Sequence, residues 1–337
     1  MAPGRQILAQ WVLWALLGLT AASVLSGIAV GPVVIPPIRV LGDLFGRGSL
    51  TTIQHVIVWH IRFPRVLLGL LVGSALAVSG VAMQGLFLNP LASPYVLGVA
   101  SGASTGAALA ILFATGSALF LPLGAFVGAA AAAGIVYGLS RTRSRKTSIF
   151  TLILSGVAVG SLFSAITSFL IFLSSKGEKL SDVLFWMMGG LGRADWTKVS
   201  VVAPIVVVCL AAIYFFSRDL NALALGEEGA FHVGVRPETL YRWLLVLTTL
   251  LTASAVAMAG TIGFVGLVIP HVMRLLIGPD HRRLIPASAL AGGCFLIWSD
   301  MVARTAFAPA ELPVGVITAF FGAPFFLYLL KTRGENL

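Results

Sequence analysis

The stretch from Arg62 to Ser104, RFPRVLLGLLVGSALAVSGVAMQGLFLNPLASPYVLGVASGAS, sets the architecture of this chain. Two arginines open it, and an apolar run follows from Val66 to Phe87. The run breaks at the polar segment Asn-Pro-Leu-Ala-Ser-Pro (89–94), after which a second, glycine-spaced apolar run begins. A helix needs about 20 apolar residues to cross the hydrocarbon core of a bilayer. The stretch therefore predicts two membrane-spanning helices joined by an elbow that two prolines stiffen.

The composition extends this interpretation to the whole chain. Of the 337 residues, 58% are hydrophobic and 10% are charged, whereas soluble domains carry roughly a quarter charged residues. The apolar runs are continuous and lack the period-two alternation of a barrel strand, so helices are the remaining way to satisfy the backbone in lipid. We expect an all-α polytopic membrane protein, a single transmembrane domain over 1–337, with ten spans. They are placed near 7–30, 64–87, 94–114, 119–139, 148–173, 197–216, 241–260, 262–277, 284–305 and 313–330.

The net charge of +10 is explained by the membrane topology of the chain rather than by nucleic-acid binding. No basic segment is interleaved with aromatic residues, and Lys and Arg gather in the cytoplasmic loops of membrane proteins. The larger share of them falls on one side if the N-terminus is cytoplasmic, including the cluster at 141–146. We therefore expect both termini in the cytoplasm of a cytoplasmic (inner) membrane protein. The run at 7–30 is longer than a typical signal-peptide core, so we expect it to be retained as a helix.

Three arginines remain on the outer side, at Arg62, Arg65 and Arg304. Asp300 stands one helical turn before Arg304, so one interpretation is an internal ion pair. The alternative is that all three arginines point outward and form a ring of positive charge. Such a ring would suit acidic patches on a docking protein.

Glycines recur at four-residue spacing, which lets helix backbones approach closely. We expect these pairs to pack helices together. They are Gly69/Gly73, Gly98/Gly102/Gly106, Gly124/Gly128, Gly134/Gly138 and Gly156/Gly160.

The insertion at 217–241, SRDLNALALGEEGAFHVGVRPETLY, is the longest cytoplasmic segment. Its apolar pattern predicts two short helices around Gly226-Glu-Glu-Gly229, which is more structure than a connector needs. It is either a docking knob for a soluble partner or a packed surface loop.

Motifs of catalysis are missing from the sequence. No Gly-Lys pair occurs, so there is no phosphate-binding loop, and no metal site or bound cofactor is predicted. Ser101 with His271 is the one candidate nucleophile–base pair. A histidine directly after an intramembrane proline more often bonds a freed carbonyl. The two cysteines, Cys209 and Cys294, lie in apolar spans and are expected to be small buried hydrophobes.

Taken in order, the motifs resemble the permease subunits of ATP-binding-cassette importers for ferric siderophores, haem and cobalamin, and the resemblance covers essentially the whole chain. The motifs are RFPR (62–65), SG…MQG (79–85), NPLA (89–92), LG…SGA (97–103), LGE (225–227), GFVGLVIPH (263–271), DHR (280–282), ELPVG (311–315) and GAP (322–324).

The resemblance implies the type II importer permease fold, with ten helices per subunit. It implies a homodimer in the bilayer with two ATPase subunits below, which bind ATP-Mg, and a substrate-binding protein above. It also implies residue roles. These are binding-protein docking at Arg62, Arg65 and Arg304; ATPase coupling at Leu225, Gly226, Glu227, Glu228 and Ala230; a cytoplasmic gate at Asn89, Pro90, Leu91, Thr147 and Ser148; and a short helix over the outer mouth, anchored by Phe185 and Trp186.

Two other functions stay open on the residues alone. Ser74–Gly80 matches Ser254–Gly260 at an offset of 180, in helices of opposite direction, and inverted repeats are typical of secondary transporters. The second alternative is an intramembrane hydrolase built on Ser101. Nothing in the sequence separates the three cargo classes; by family frequency we rank ferric siderophore first, then haem, then cobalamin.

Overall fold

The computed structural model describes residues 3–113, 119–141, 149–174 and 178–333. A π-helical stretch (Ile57–Arg62) leads into α4, and a 3₁₀ turn (Pro94–Leu97) precedes α5. The α-helices are α1 (Pro3–Ala29), α2 (Pro37–Leu44), α3 (Thr52–Val56), α4 (Phe63–Leu86), α5 (Val99–Phe113), α6 (Phe120–Ser140), α7 (Ile149–Leu173), α8 (Glu178–Met187), α9 (Trp196–Phe215), α10 (Ser217–Leu223), α11 (Gly226–His232), α12 (Pro237–Ala259), α13 (Val265–Ile277), α14 (His281–Thr305) and α15 (Val314–Arg333).

The predicted membrane bundle of about ten helices is confirmed. Within the described ranges, seven helical segments are long and apolar enough to cross a membrane, and α5, α13 and α15 are shorter apolar helices. One boundary differs from the prediction. The span expected at 94–114 begins as the 3₁₀ turn, and its α-helix starts only at Val99.

Helix α4 is the centre of the bundle, and it is buried on nearly all sides. A helix that is apolar all round belongs in the interior. It packs against α12, α13 and α14. A Cβ on Gly73 would overlap the carbonyl of Gly292 on α14, and one on Gly80 would overlap the carbonyl of Gly266 on α13. These glycines bring the helix backbones into direct contact, which is how helices associate in lipid.

The glycine pairs of α5 and α6 pack as predicted. A Cβ on Gly102 or Gly106 would overlap the carbonyls of Gly128 and Gly124, respectively. The prediction is wrong for Gly134 and Gly138, because a Cβ on either residue would have no neighbouring atom within 4 Å. Gly134 follows Gly128 by six residues, which is about 240° around a helix of 3.6 residues per turn. It therefore faces away from α5.

The elbow between α4 and α5 is a stack of local turns. Leu88 has a φ of 49°, which ends the helix. The Asn89 side chain accepts a hydrogen bond from the Leu91 backbone N–H at 2.8 Å, and the Ser93 hydroxyl accepts one from the Tyr95 N–H at 3.3 Å. Both residue types favour such side-chain turns. The polar elbow predicted from the sequence is thus present.

The segment between α1 and α4 carries structure that the sequence patterns did not predict. Helices α2 and α3 lie there, and the Trp59 indole N–H donates to the Asp43 carboxylate at 2.8 Å. The ring of Phe63 contacts those of Trp59 and Trp196, with centroid distances of 5.2 and 5.5 Å, respectively. This aromatic cluster joins the start of α4 to the start of α9.

Candidate functional site

Arg62, Arg65 and Arg304 lie at one end of the bundle, here named the arginine end. Arg65 is held by two carboxylates. Its Nε lies 3.0 Å from both oxygens of Asp300, and its Nη1 and Nη2 each donate to Glu311 at 3.0 Å. Paired contacts of this kind are the strong form of the arginine–carboxylate bond. The cluster ties α4 to α14 and to the segment just before α15.

The other two arginines bond mainly to backbone carbonyls near the end of α1. Arg62 donates to the carbonyls of Ile28 at 3.0 Å and Ala29 at 2.9 Å, and also to that of Val33. Arg304 donates to the carbonyl of Gly27, and its Nε lies 3.6 Å from Asp300. The last carbonyls of a helix have no partner within it and attract cations. These contacts fix the end of α1 against α4 and α14.

The structure contradicts the alternative in which the three arginines point outward as a ring. Arg62, Arg65 and Arg304 are 4%, 6% and 3% exposed, because Asp300, Glu311 and the α1 carbonyls enclose them. The internal pairing of Asp300 with Arg304 is present. The residue that sequence reasoning missed is Glu311, which lies in the quoted ELPVG motif but was given no role. The docking role of the three arginines itself stays a prediction.

The predicted outer-mouth helix is α8, and its attachment differs from the expectation. Phe185 is 58% exposed, so only Trp186 packs against the core. The firmer attachment is backbone contact. The Gly190 N–H donates to the Ala259 carbonyl at 2.7 Å, and a Cβ on Gly260 or Gly315 would overlap the carbonyls of Trp186 or Met188. Of these glycines, Gly315 lies in the ELPVG motif and Gly260 ends the repeated segment Ser254–Gly260, so the sequence did mark both positions.

A cavity of about 530 Å³ opens beside α8. Phe185 and Trp186 line it, together with charged side chains of both signs. These are Asp182, Arg193, Asp195, Lys198 and Glu311. Because Glu311 also bonds Arg65, the cavity wall is continuous with the arginine cluster.

The 217–241 insertion lies at the opposite end, here named the insertion end. It forms α10 and α11 as predicted, but the Gly-Glu-Glu-Gly sequence begins α11 rather than separating two helices. Leu220, Leu223 and Ala230 are fully buried, whereas Leu225 and Phe231 are 67% and 66% exposed. A buried apolar base thus carries exposed apolar side chains, which is typical of a protein contact surface.

Two sets of hydrogen bonds hold the insertion to the bundle. The Asn221 side-chain oxygen accepts from the His281 backbone N–H at 2.9 Å and lies 2.8 Å from His281 Nδ1, and Asn221 Nδ2 donates to Asp280 at 2.7 Å. The Tyr241 hydroxyl donates to Glu227 at 2.7 Å. These bonds tie α10 to the start of α14 and α11 to α12.

The remaining predicted residues fall in several places. Asn89 is exposed at the elbow, and Pro90 and Leu91 line a small cavity together with Leu267 of α13 and Phe325 of α15. Thr147 and Ser148 lie outside the described residues. The Ser101 hydroxyl accepts from the Ser164 hydroxyl at 3.3 Å. In the described part of the chain, no group of three His, Cys, Asp or Glu side chains is placed to hold a metal ion.

Comparison with known proteins gives the family. The model of the FecCD transport family matches residues 19–332. The chain belongs to the FecCD transport family. A cobalamin import permease from Halobacterium salinarum is 47% identical over 83% of this chain and 74% of its own length. A hemin transport permease, HmuU of Yersinia pestis, is 42% identical over 86% of this chain and 89% of its own length.

A solved structure agrees in fold. It shows an inward-facing conformation of a metal-chelate type ABC transporter, and it superposes with a TM-score of 0.85 at 33% identity. The match covers 96% of this chain and 99% of the solved one. The resemblance drawn from the motifs is confirmed, and the chain is a permease of the metal-chelate ABC importer type.

Proposed function

We propose that two copies of this chain form the membrane pathway of an ATP-driven importer for a metal tetrapyrrole. The names of the cobalamin and hemin relatives favour a tetrapyrrole over the ferric siderophore that family frequency ranks first. The ion-coupled transporter and the intramembrane hydrolase leave the exposed apolar insertion without a role.

A polar stripe on α7 carries this proposal. Ser161, Ser164 and Ser168 are exposed at helical spacing on one face of this spanning helix, whereas its other polar residues include the buried Ser155 and Thr167. Polar groups in a spanning helix usually face a bundle interior or a water-filled cavity rather than lipid. In a homodimer with α7 near the two-fold axis, this face would line a wide, neutral pathway. The binding protein, rather than the permease, would then supply selectivity.

The insertion end supports a role for an ATPase partner. The chain has no phosphate-binding loop, so ATP and Mg²⁺ would be bound by the partner subunits. Leu225 and Phe231 would enter a cleft of that ATPase, with Gly226, Glu227 and Glu228 at the same surface and Ala230 as the buried base. ATP binding can shift the bundle only through a difference in affinity for its conformations.

The arginine end would receive the substrate-binding protein. Since Arg62, Arg65 and Arg304 are enclosed, we assign them first to holding α1, α4 and α14 in one arrangement, with docking on the surface they support. Helix α8, with Phe185 and Trp186, would cover the outer mouth. Asn89, Pro90 and Leu91, with Thr147 and Ser148, would form the cytoplasmic gate. Both termini would be cytoplasmic.

The test is uptake by proteoliposomes that contain this chain together with its cognate ATPase and substrate-binding protein. We expect ATP-dependent uptake of cyanocobalamin or hemin, and little uptake of a ferric hydroxamate. Uptake driven by an ion gradient without the ATPase would refute the proposal. ATP-driven uptake of the ferric hydroxamate alone would refute the tetrapyrrole as cargo, but it would support the ATP-driven importer.

A further inference from the structure

A cavity of about 200 Å³ lies between α6 and α12, close to the insertion end of the bundle. Its wall is apolar over most of its surface, with Ala130, Ala133 and Leu250 among the lining residues. Three polar side chains, Tyr137, Arg242 and Thr249, line it as well. Leu139, beside the cavity, and Val246, in its lining, are exposed apolar side chains, as expected of a bundle face that contacts lipid. The cavity thus combines an apolar interior with a cationic rim.

The Tyr137 hydroxyl has no hydrogen-bond partner within the part of the chain that the structure describes, although the oxygen is buried. A buried hydroxyl without a partner is costly, so a partner supplied from outside the chain is favoured. The Arg141 guanidinium lies 5.8 Å from the centre of the Tyr137 ring. The environment of the hydroxyl is therefore cationic, and an acceptor group is the partner that fits.

Arg242 provides a second positive charge at the same rim. It is exposed, and among the described residues it makes no hydrogen bond and no ion pair within 4 Å. Glu238 stands one turn earlier on α12. The neighbouring Trp243 is 51% exposed, and tryptophan is enriched where a spanning helix meets the lipid headgroups. We therefore expect Arg242 to lie at headgroup depth.

Gly134 leaves the groove open. It lines the cavity, and a Cβ at this position would have nothing within 4 Å. The glycines that face α5 are in backbone contact with that helix, so the openness at Gly134 is not a general property of α6. A larger side chain at this position would occupy the cavity without displacing a neighbouring helix.

We infer that this cavity binds one anionic diacyl phospholipid from the leaflet at the insertion end. An acyl chain fills the apolar cavity, the phosphate lies on Arg242 with Arg141 beside it, and an ester or phosphate oxygen accepts from the Tyr137 hydroxyl. Arginine suits this role because its guanidinium forms paired bonds with phosphate oxygens. The inference needs the chain to span a membrane and does not depend on the proposed cargo.

The test is native mass spectrometry of the full chain in detergent with equimolar phosphatidylglycerol and phosphatidylcholine of the same acyl chains. We expect phosphatidylglycerol adducts to exceed phosphatidylcholine adducts several-fold. Both lipids present a phosphate, but the choline of phosphatidylcholine would bring a further positive charge next to Arg242 and Arg141, and like charges in contact repel. In Arg242→Gln the ratio should fall to near one. Arg236→Gln removes an equal charge from the start of α12, outside the cavity lining, and should keep the preference.

A second pair of variants tests the cavity itself. Gly134→Leu should reduce binding of both lipids several-fold, whereas Gly138→Leu, one turn later and also in open space, should bind as the parent does. Equal adducts of the two lipids on the parent chain would overturn the inference. So would a phosphatidylglycerol preference that survives Arg242→Gln, or equal lipid binding by Gly134→Leu and Gly138→Leu.

Discussion

The arginine end and the 217–241 insertion are both predicted from sequence as protein-docking surfaces, yet they differ in whether the side chains concerned are exposed. The three arginines of the arginine end are buried, and they bond to carboxylates or to backbone carbonyls near the end of α1. The insertion instead exposes the apolar side chains Leu225 and Phe231 on a fixed base. Residue type alone is thus a poor guide to exposure in a membrane bundle. A charged side chain near a helix end can be enclosed by carboxylates and backbone carbonyls as readily as it can be exposed to solvent.

The largest loss of stability is expected at the arginine end. Asp300→Asn removes the carboxylate that Arg65 and Arg304 share, so it should destabilise the fold by about 3–5 kcal/mol, the usual cost of breaking a buried ion pair. Thermal unfolding in detergent measures it. Asp182→Asn breaks an exposed pair with Arg193 and should cost at most about 1 kcal/mol. Equal melting temperatures for the two variants would mean that the arginine cluster is not a structural element.

A smaller loss is expected where the insertion joins the bundle. Asn221→Ala removes the acceptor for the His281 N–H and the donor to Asp280, and we expect a loss of roughly 1–3 kcal/mol. Arg218→Gln, on the exposed face of the same helix, is the control. Hydrogen exchange of α10 reports the change locally. Unchanged exchange in Asn221→Ala would show that the insertion is held by its apolar base alone.

Tyr241→Phe should have a smaller effect still. It removes one hydrogen bond to Glu227, a partly hydrated side chain, so we expect about 0.5–1.5 kcal/mol. Tyr214→Phe at an exposed position is the matched control. If coupling passes through this bond, ATP-driven uptake falls more than the melting temperature does. A parallel fall in both would make the bond purely structural.

The smallest effect on stability should come with a large effect on assembly. Leu225→Ser replaces an exposed side chain and should change the free energy of unfolding by less than about 0.5 kcal/mol. Co-purification of the ATPase should nevertheless be lost, together with ATP-driven uptake. Val56→Ser, also exposed but far from the insertion, should retain both. Retention of the ATPase by Leu225→Ser would remove the insertion from the partner interface.

Much of this molecule follows from its sequence without reference to tertiary contacts. The apolar runs are long enough to cross a bilayer. Because lipid hydrocarbon offers no hydrogen-bond partners, the backbone must satisfy its own N–H and C=O groups, and the spans could be predicted as helices. The elbow followed from Asn89, Pro90 and Ser93, whose turn preferences are local. The ordered motifs, which lie in separate helices and loops, were enough to predict the family. These features depend on neighbours within a few residues or on the solvent.

Whether the outer charges are exposed or paired, by contrast, depends on contacts that form only in the folded bundle. Arg65 meets Asp300 and Glu311, which are more than 230 residues away in the chain, and no local pattern reports such a contact. The same holds for glycine, since Gly106 packs against α6 while Gly134 faces open space. Burial and pairing depend on which helices become neighbours. Which helices become neighbours is determined by the packing of the whole bundle rather than by the sequence of any one helix.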